Sequence, residues 1–316
     1  MAPRLIEDGK IQILGQTANS VVYAVEDDSN AGLAKDSPSV LKGGTVWYKG
    51  QEALGPGKDI AESDKNIRKE ASIYRTLGQH DRILRCLGLE TGALDGADSI
   101  PRAWALRLER SPSGSLRDYI VNTSANRPSQ LTRLHLAHQF SEGVAHLHQS
   151  GIVWGDLSTR NAFLFDKWRV KLGDFADSDQ VGVYPSNWYG CEDRYCPPGS
   201  DHPQQHTTET MSRELFALGS AIYEIVEWKV PYGSSTDISD DGVMEALSNG
   251  KWPEVSDDNP AKNIIQKLWG YLYGSCREVV HDLQVLLLFH ERSLSLQGDS
   301  QPSWGSHLSP CPVLEN

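Results

Sequence analysis

The stretch Ile152-Val153-Trp154-Gly155-Asp156-Leu157-Ser158-Thr159-Arg160-Asn161 constrains this chain more than any other. It sits between a helical pattern and a short apolar run, Ala162 to Phe165, that reads as a strand. In the upstream pattern, Leu134, Ala137, Phe140, Val144 and Leu147 recur at three, three, four and three. That spacing predicts a helix over Thr132 to Gln149 with one face toward a core, ended by Gly151 as a C-cap. After the strand, Val170 to Leu172 reads as a second strand and runs into Gly173-Asp174-Phe175-Ala176. An acid, an amide five positions on and a second acid thirteen beyond that are thus carried on loops fixed by rigid elements. An isolated Asp-x4-Asn is common; one framed in this way is not.

Bulk properties narrow the functional class. The chain has 316 residues, enough for two packed units, and a formal net charge of −12. An acidic balance argues against a general nucleic-acid binder or an anionic-membrane binder, both of which need a cationic face. The cysteines, Cys86, Cys191, Cys196, Cys276 and Cys311, are odd in number and scattered, as expected in a reducing compartment. The longest apolar run, Val285 to Phe289, is far shorter than the roughly 20 residues of a membrane span. Met1-Ala2-Pro3-Arg4 opens no signal-peptide core. The expectation is a soluble, intracellular, cytoplasmic protein of undetermined oligomeric state. His146 and His148, two apart on a helix, face different ways, so they predict no zinc site.

The first hundred residues read as short strands around one helix. Ile11 to Leu14 and Val21 to Ala24 flank Gly15-Gln16-Thr17-Ala18-Asn19-Ser20. Glu26 to Pro38 reads as a loop. Ser39-Val40-Leu41-Lys42 fits a strand that ends in lysine; Val46-Trp47-Tyr48-Lys49 is a rival, and Lys35 a weaker one. Gln51 to Lys58 reads as a Gly/Pro loop. Over Ala61 to Gly78, Ile67, Ala71, Tyr74 and Leu77 form an apolar stripe. Glu70 lies on that stripe, where a carboxylate is costly to bury unless paired. Arg82 to Glu90 and Ala103 to Glu109 read as paired strands, and Ser115 as the N-cap of a helix over Leu116 to Val121.

Later, Asp174 to Pro198 reads as a loop ending in Tyr195-Cys196-Pro197-Pro198-Gly199. Ser212 to Ile225 is almost continuously apolar after Glu214, as a helix buried through a core should be. Val230-Pro231-Tyr232-Gly233 follows it. Ile264 to Trp269 and Arg277 to Leu288 read as further helices. From Glu291 on, Ser, Pro, Gly and Gln dominate, which predicts a disordered tail over 291–316.

This succession resembles the protein kinase superfamily from about residue 11 to residue 290. The fold implied is α+β and two-lobed: a sheet-rich N-lobe over 11–109, a hinge over 109–114 and a mainly helical C-lobe over 115–290. The activity implied is ATP-dependent transfer of the γ-phosphoryl group to Ser or Thr hydroxyls of a protein substrate, with Mg²⁺. Asp156 would orient the substrate hydroxyl, and Asn161 and Asp174 would bind Mg²⁺. Lys42, held by Glu70, would contact the α- and β-phosphates. Gly15, Thr17, Ser20 and Val22 stand at the positions of the glycine-rich loop, with Thr17 and Ser20 in place of two glycines. Leu108 would gate a back pocket, and Glu109 and Ser111 would offer main-chain groups to adenine.

Several positions depart from the family pattern. Trp154-Gly155 replaces His-Arg before Asp156, and the missing Arg normally meets a phosphorylated activation loop. Ala176 replaces the glycine of Asp-Phe-Gly, Gly199 replaces a glutamate whose partner would be Arg277, and Glu214 replaces an aspartate that braces the catalytic loop. Ser158-Thr159-Arg160 lacks the lysine typical of Ser/Thr kinases, and Arg160 is similar to the tyrosine-kinase pattern. Two other readings follow: a pseudokinase serving as a binding or scaffold module, and a small-molecule phosphotransferase similar to aminoglycoside kinases, which also carry Gly-Asp in this loop. The 212–233 block favours a protein kinase over the second.

Overall fold

The structure is a computed structural model describing residues 2–17, 20–26, 33–49, 51–54, 60–92, 101–180, 192–196, 209–234 and 236–298. The chain divides into two compact units: Met1–His80 with Leu84–Arg110, and Asp81–Ile83 with Ser111–Asn316.

The first unit is sheet-rich. Helix α1 (Ala2–Glu7) precedes strands β1 (Ile11–Gln16), β2 (Val21–Val25) and β3 (Ser39–Gly43). After β4 (Val46–Tyr48) and β5 (Gln51–Leu54) come helix α2 (Ile60–Leu77) and strands β6 (Cys86–Gly92) and β7 (Arg102–Glu109). Five strands form one antiparallel sheet in the order β1-β2-β3-β7-β6. Strand β3 is central, and every one of its residues is buried. Ile11, Val21, Tyr23, Leu41, Val46 and Ala105 make the core of this sheet. The α2 stripe of Ile67, Ala71, Tyr74 and Leu77 is buried, and the helix packs against β7.

Two expectations fail here. Residues 51–54, read as loop, form β5 and pair with β4. That hairpin is held by distant groups: Trp47 stacks on Trp104 with centroids 4.9 Å apart, and its amide donates to Tyr23 Oη at 3.0 Å. Strand β6 starts at Cys86 rather than Arg82; the Arg82 carbonyl instead accepts from Leu172 N at 2.8 Å within the second unit.

The second unit is mainly helical. Helices α3 (Leu116–Asn122) and α4 (Gln130–Gln149) lead to the short strand β8 (Ile152–Val153). Ser115 caps α3, accepting from Asp118 N at 3.1 Å. Strands β9 (Ala162–Phe165) and β10 (Arg169–Leu172) form a hairpin, and β11 (Asp179–Gln180) pairs with β8 inside a stretch read as loop. Helices α5 (Glu209–Glu227), α6 (Asp240–Ser248), α7 (Lys262–Trp269) and α8 (Cys276–Gly298) complete it. The predicted α4 stripe is fully buried, and α4 packs on α5 and α8. Helix α8 continues past Glu291 to Gly298, so the predicted tail is helical at its start; residues 299–316 lie outside the described set. Among the described residues, no helix is long and apolar enough to cross a membrane.

Candidate active site

Lys42 follows from the position of β3. Its register partners are Val22 in β2 and Leu106 in β7, so its side chain leaves a fully paired strand. Lys42 Nζ donates to both Glu70 oxygens, at 2.9 Å and 2.8 Å, and both residues are buried. The rival Lys49 lies just past β4 with φ 50°, outside the strand, and pairs with Glu26 at 3.3 Å while half exposed. A buried ion pair is held only where geometry is good, because both charges lose water. Glu70 thus has the partner its place on the stripe demanded.

The turn between β1 and β2 is bonded to itself. Gly15 pairs with Val22 in the ladder, and Thr17 N donates to the Ser20 carbonyl at 2.8 Å. Ser20 N donates to Thr17 Oγ1 at 3.0 Å, so one amide of the turn is already engaged by a side chain. Leu108 is buried, opposite Val40 and Cys86. Glu109 exchanges bonds with Arg85: its amide donates to the Arg85 carbonyl at 3.0 Å, and its carboxylate accepts from Arg85 N at 2.7 Å. Arg110 ends the first unit and Ser111 opens the second. Ser111 Oγ donates to the carbonyls of Leu164 at 2.5 Å and Gly114 at 3.1 Å.

In the second unit, Asp156 and Asn161 are locked together. Asn161 Nδ2 donates to the Asp156 carbonyl at 2.9 Å and to its Oδ2 at 2.8 Å. Asp156 Oδ1 is buried and has no hydrogen-bond partner among the described residues, and the Arg160 guanidinium lies 3.8 Å from it. Burial pushes the Asp156 carboxyl up to about 6; Arg160 and Asn161 pull against this, while Asp174 and Asp177 add to it. Asp174 adopts a left-handed φ of 54°, uncommon for a residue with a side chain. Strain of this kind persists where surroundings impose it, and here they are visible. Trp154 is fully buried, and its Nε1 donates to the carbonyls of Gly173 at 3.2 Å and Asp174 at 3.0 Å. Its ring packs between Phe140 and Phe175, and its carbonyl accepts from Ser178 Oγ at 2.9 Å.

Gly155 is as specific as its neighbour. Its φ is 84°, and a Cβ would run into the Asp177 carbonyl. Its amide donates to Glu214 Oε1 at 2.8 Å, while Glu214 Oε2 meets His148 Nε2 at 2.6 Å. The fully buried Glu214 therefore braces this loop from α5. Trp154, Gly155 and Ser178 had no role assigned in the sequence. The Trp-Gly departure was their only signal, and it reads as one linked replacement rather than a loss.

The donors fit a small hard cation. Asn161 turns its amide nitrogen to Asp156, which leaves the amide oxygen for another partner. An amide oxygen and carboxylates in small number suit Mg²⁺, which completes its shell with water and phosphate. Among the described residues, no group of three or more His, Cys, Asp or Glu side chains gathers for a metal. Gly199 lies outside the described residues, and Arg277 is exposed.

A model of the protein kinase domain matches residues 54–276, more than half the chain; the chain belongs to the protein kinase domain family. It is 28% identical over 209 residues to the BDNF/NT-3 growth factors receptor of Gallus gallus, covering 61% of this chain and 24% of that protein. It is 23% identical over 303 residues to NUAK family SNF1-like kinase 1 of Homo sapiens, covering 85% and 43%. It is 24% identical over 228 residues to the RGS domain-containing serine/threonine-protein kinase A of Dictyostelium discoideum, covering 70% and 19%. The chain thus spans less than half the length of each of these relatives. The matched stretch contains Glu70, Asp156, Asn161 and Asp174, whereas β1 to β4, with Gly15 and Lys42, precede it.

Proposed function

We propose that the chain is an active protein kinase that transfers the γ-phosphoryl group of ATP to Ser or Thr hydroxyls of proteins, with Mg²⁺. The observation that carries this reading is Asp156: one carboxylate oxygen fixed by Asn161, the other buried with no hydrogen-bond partner among the described residues. An acceptor left bare in a buried place is costly, and a substrate hydroxyl would satisfy it as a donor. Phosphoryl transfer asks for this kind of positioning and little covalent chemistry. In this reading Lys42, oriented by Glu70, meets the phosphates. Asn161 and Asp174 hold the metal, which neutralises phosphate charge when bound. Leu108, Glu109 and Ser111 line the adenine position, and Gly15, Thr17, Ser20 and Val22 cover the phosphates. The kinase domain occupies 11–290, with its connector at 109–114, and the protein works in the cytoplasm.

A second reading, a pseudokinase binding module, draws support from the hydroxyl of Thr17 occupying the Ser20 amide. In the active reading that bond opens when phosphate arrives. Calorimetric titration with ATP, with and without Mg²⁺, separates the two. The active reading expects Mg²⁺-dependent binding that Asp174→Ala abolishes; no binding in either condition supports the binding module.

A further inference from the structure

Glu192 sits at the meeting point of three arginines. Its Oε1 lies 3.1 Å from Arg117 Nη1 and 3.6 Å from Arg194 Nε. Its Oε2 lies 3.2 Å from Arg117 Nη2, 3.2 Å from Arg160 Nε and 3.3 Å from Ser158 Oγ. Arg117 comes from α3, Ser158 and Arg160 from the loop that carries Asp156, and Arg194 from the turn after Glu192. Arg117 also pairs with Glu224 of α5 and donates to Thr159 Oγ1 at 3.1 Å. Tyr195 Oη donates to Glu224 Oε2 at 2.8 Å and accepts from Thr159 N at 3.3 Å. Arg194 is buried and donates to the carbonyls of Pro231 at 3.2 Å and Ile238 at 3.1 Å. Without Glu192, Arg117 would keep Glu224, while Arg160 would keep Asp156 at 3.8 Å and Arg194 the exposed Asp240 at 3.7 Å.

We infer that Glu192 is a positioning residue for the catalytic loop: its carboxylate clamps Ser158 and Arg160, and through them the stretch from Asp156 to Asn161, to residues 192–196. The inference deepens the kinase reading and rests on it only for turnover. A negative group that gathers several arginines is what a phosphorylated side chain supplies when it orders a loop. Glu192 supplies it in the genetic sequence itself, so this clamp needs no modification. The arrangement also accounts for the absence of an arginine at Gly155: the anionic partner is met instead by Arg117, Arg160 and Arg194.

The test uses the full chain after phosphatase treatment, with Glu192→Ala and the shape-preserving Glu192→Gln. Hydrogen exchange is followed at the amides of Thr159 and Arg160 and of residues 194–196. The wild type is expected to protect these amides without phosphate. Both variants should exchange there at least tenfold faster, with the α4 amides unchanged. Sodium acetate at constant ionic strength should restore protection in Glu192→Ala, where it can enter the vacated place, and fail in Glu192→Ala/Arg160→Gln. On the same proteins, kcat for protein phosphorylation should fall at least tenfold while the KM for ATP stays within twofold, and acetate should recover part of kcat in Glu192→Ala. Wild-type exchange rates in both variants, or no effect of acetate on Glu192→Ala, would overturn the role of Glu192. Acetate-sensitive exchange in a protein with no turnover would support that role and count against the kinase reading alone.

Discussion

The carbonyl oxygen of Asp177 occupies the space that a side chain on residue 155 would need, and Gly155 yields it by having none. With φ at 84°, Gly155 also adopts a conformation that other residues reach only with strain. The missing arginine of the family pattern is therefore built into the backbone. Gly155→Ala should cost about 1–3 kcal/mol, and Gly155→Arg should cost more instead of restoring a function. Urea denaturation of both variants checks this. A Gly155→Arg protein as stable as the wild type would show that the Asp177 carbonyl is free to move.

Trp154 makes the complementary half of this replacement. Trp154→Phe keeps most of the ring packing with Phe140 and Phe175 but removes the donor to the carbonyls of Gly173 and Asp174. Taking this donor from the buried Gly173 carbonyl should cost about 1–3 kcal/mol. The loss should be local, read as faster hydrogen exchange at Ser178 N, which donates to the Phe175 carbonyl at 3.2 Å.

The buried pair in β3 and α2 predicts a sign pattern rather than one number. Lys42→Met strands the Glu70 charge in a buried place and should cost about 3–5 kcal/mol. The double variant Lys42→Met/Glu70→Leu should recover most of that, since two apolar groups replace two charges. Denaturant midpoints of wild type, single and double variants close the cycle. A double variant as unstable as the single would mean that packing, not charge, dominates there.

Much of this was readable because the signals are local. The stripe Ile67, Ala71, Tyr74 and Leu77 announced α2, and Glu70 on that stripe announced a buried partner. The α4 period placed the loop of Asp156 and Asn161, and the strand after it placed Asp174. The choice between Lys42 and Lys49 was not local: both follow short apolar runs. It depends on β3 lying between β2 and β7 while Lys49 turns out at positive φ. Strand β5 was hidden because Trp104 and Tyr23, far along the chain, hold its hairpin. The helical continuation to Gly298 was hidden by a composition that also suits disorder. Glu192 was hidden because its arginine partners are spread over α3, the loop of Asp156 and its own turn.

Glu192 also sets a pH dependence. Burial alone would raise its carboxyl, but Arg117 above all, with Arg160 and Arg194, holds it below the usual carboxylate range. A group whose folded pKa is depressed contributes stability above its unfolded pKa and loses it as pH falls through the folded pKa. The stability difference between wild type and Glu192→Gln should therefore be full at neutral pH and shrink toward zero under strongly acidic conditions. Melting temperatures of both proteins across that range measure it. A constant difference would contradict the assignment.

In the proposed function, Asp156 and Asp174 serve phosphoryl transfer to protein. The most direct measurement is incorporation of γ-phosphate from ATP into a panel of proteins, with identification of the modified residue, for wild type, Asp156→Ala and Asp174→Ala. The wild type is expected to label Ser or Thr in a Mg²⁺-dependent way, and each variant to lose at least a hundredfold. Labelling that persists in Asp156→Ala, or phosphate appearing on a small molecule and on no protein, would contradict it.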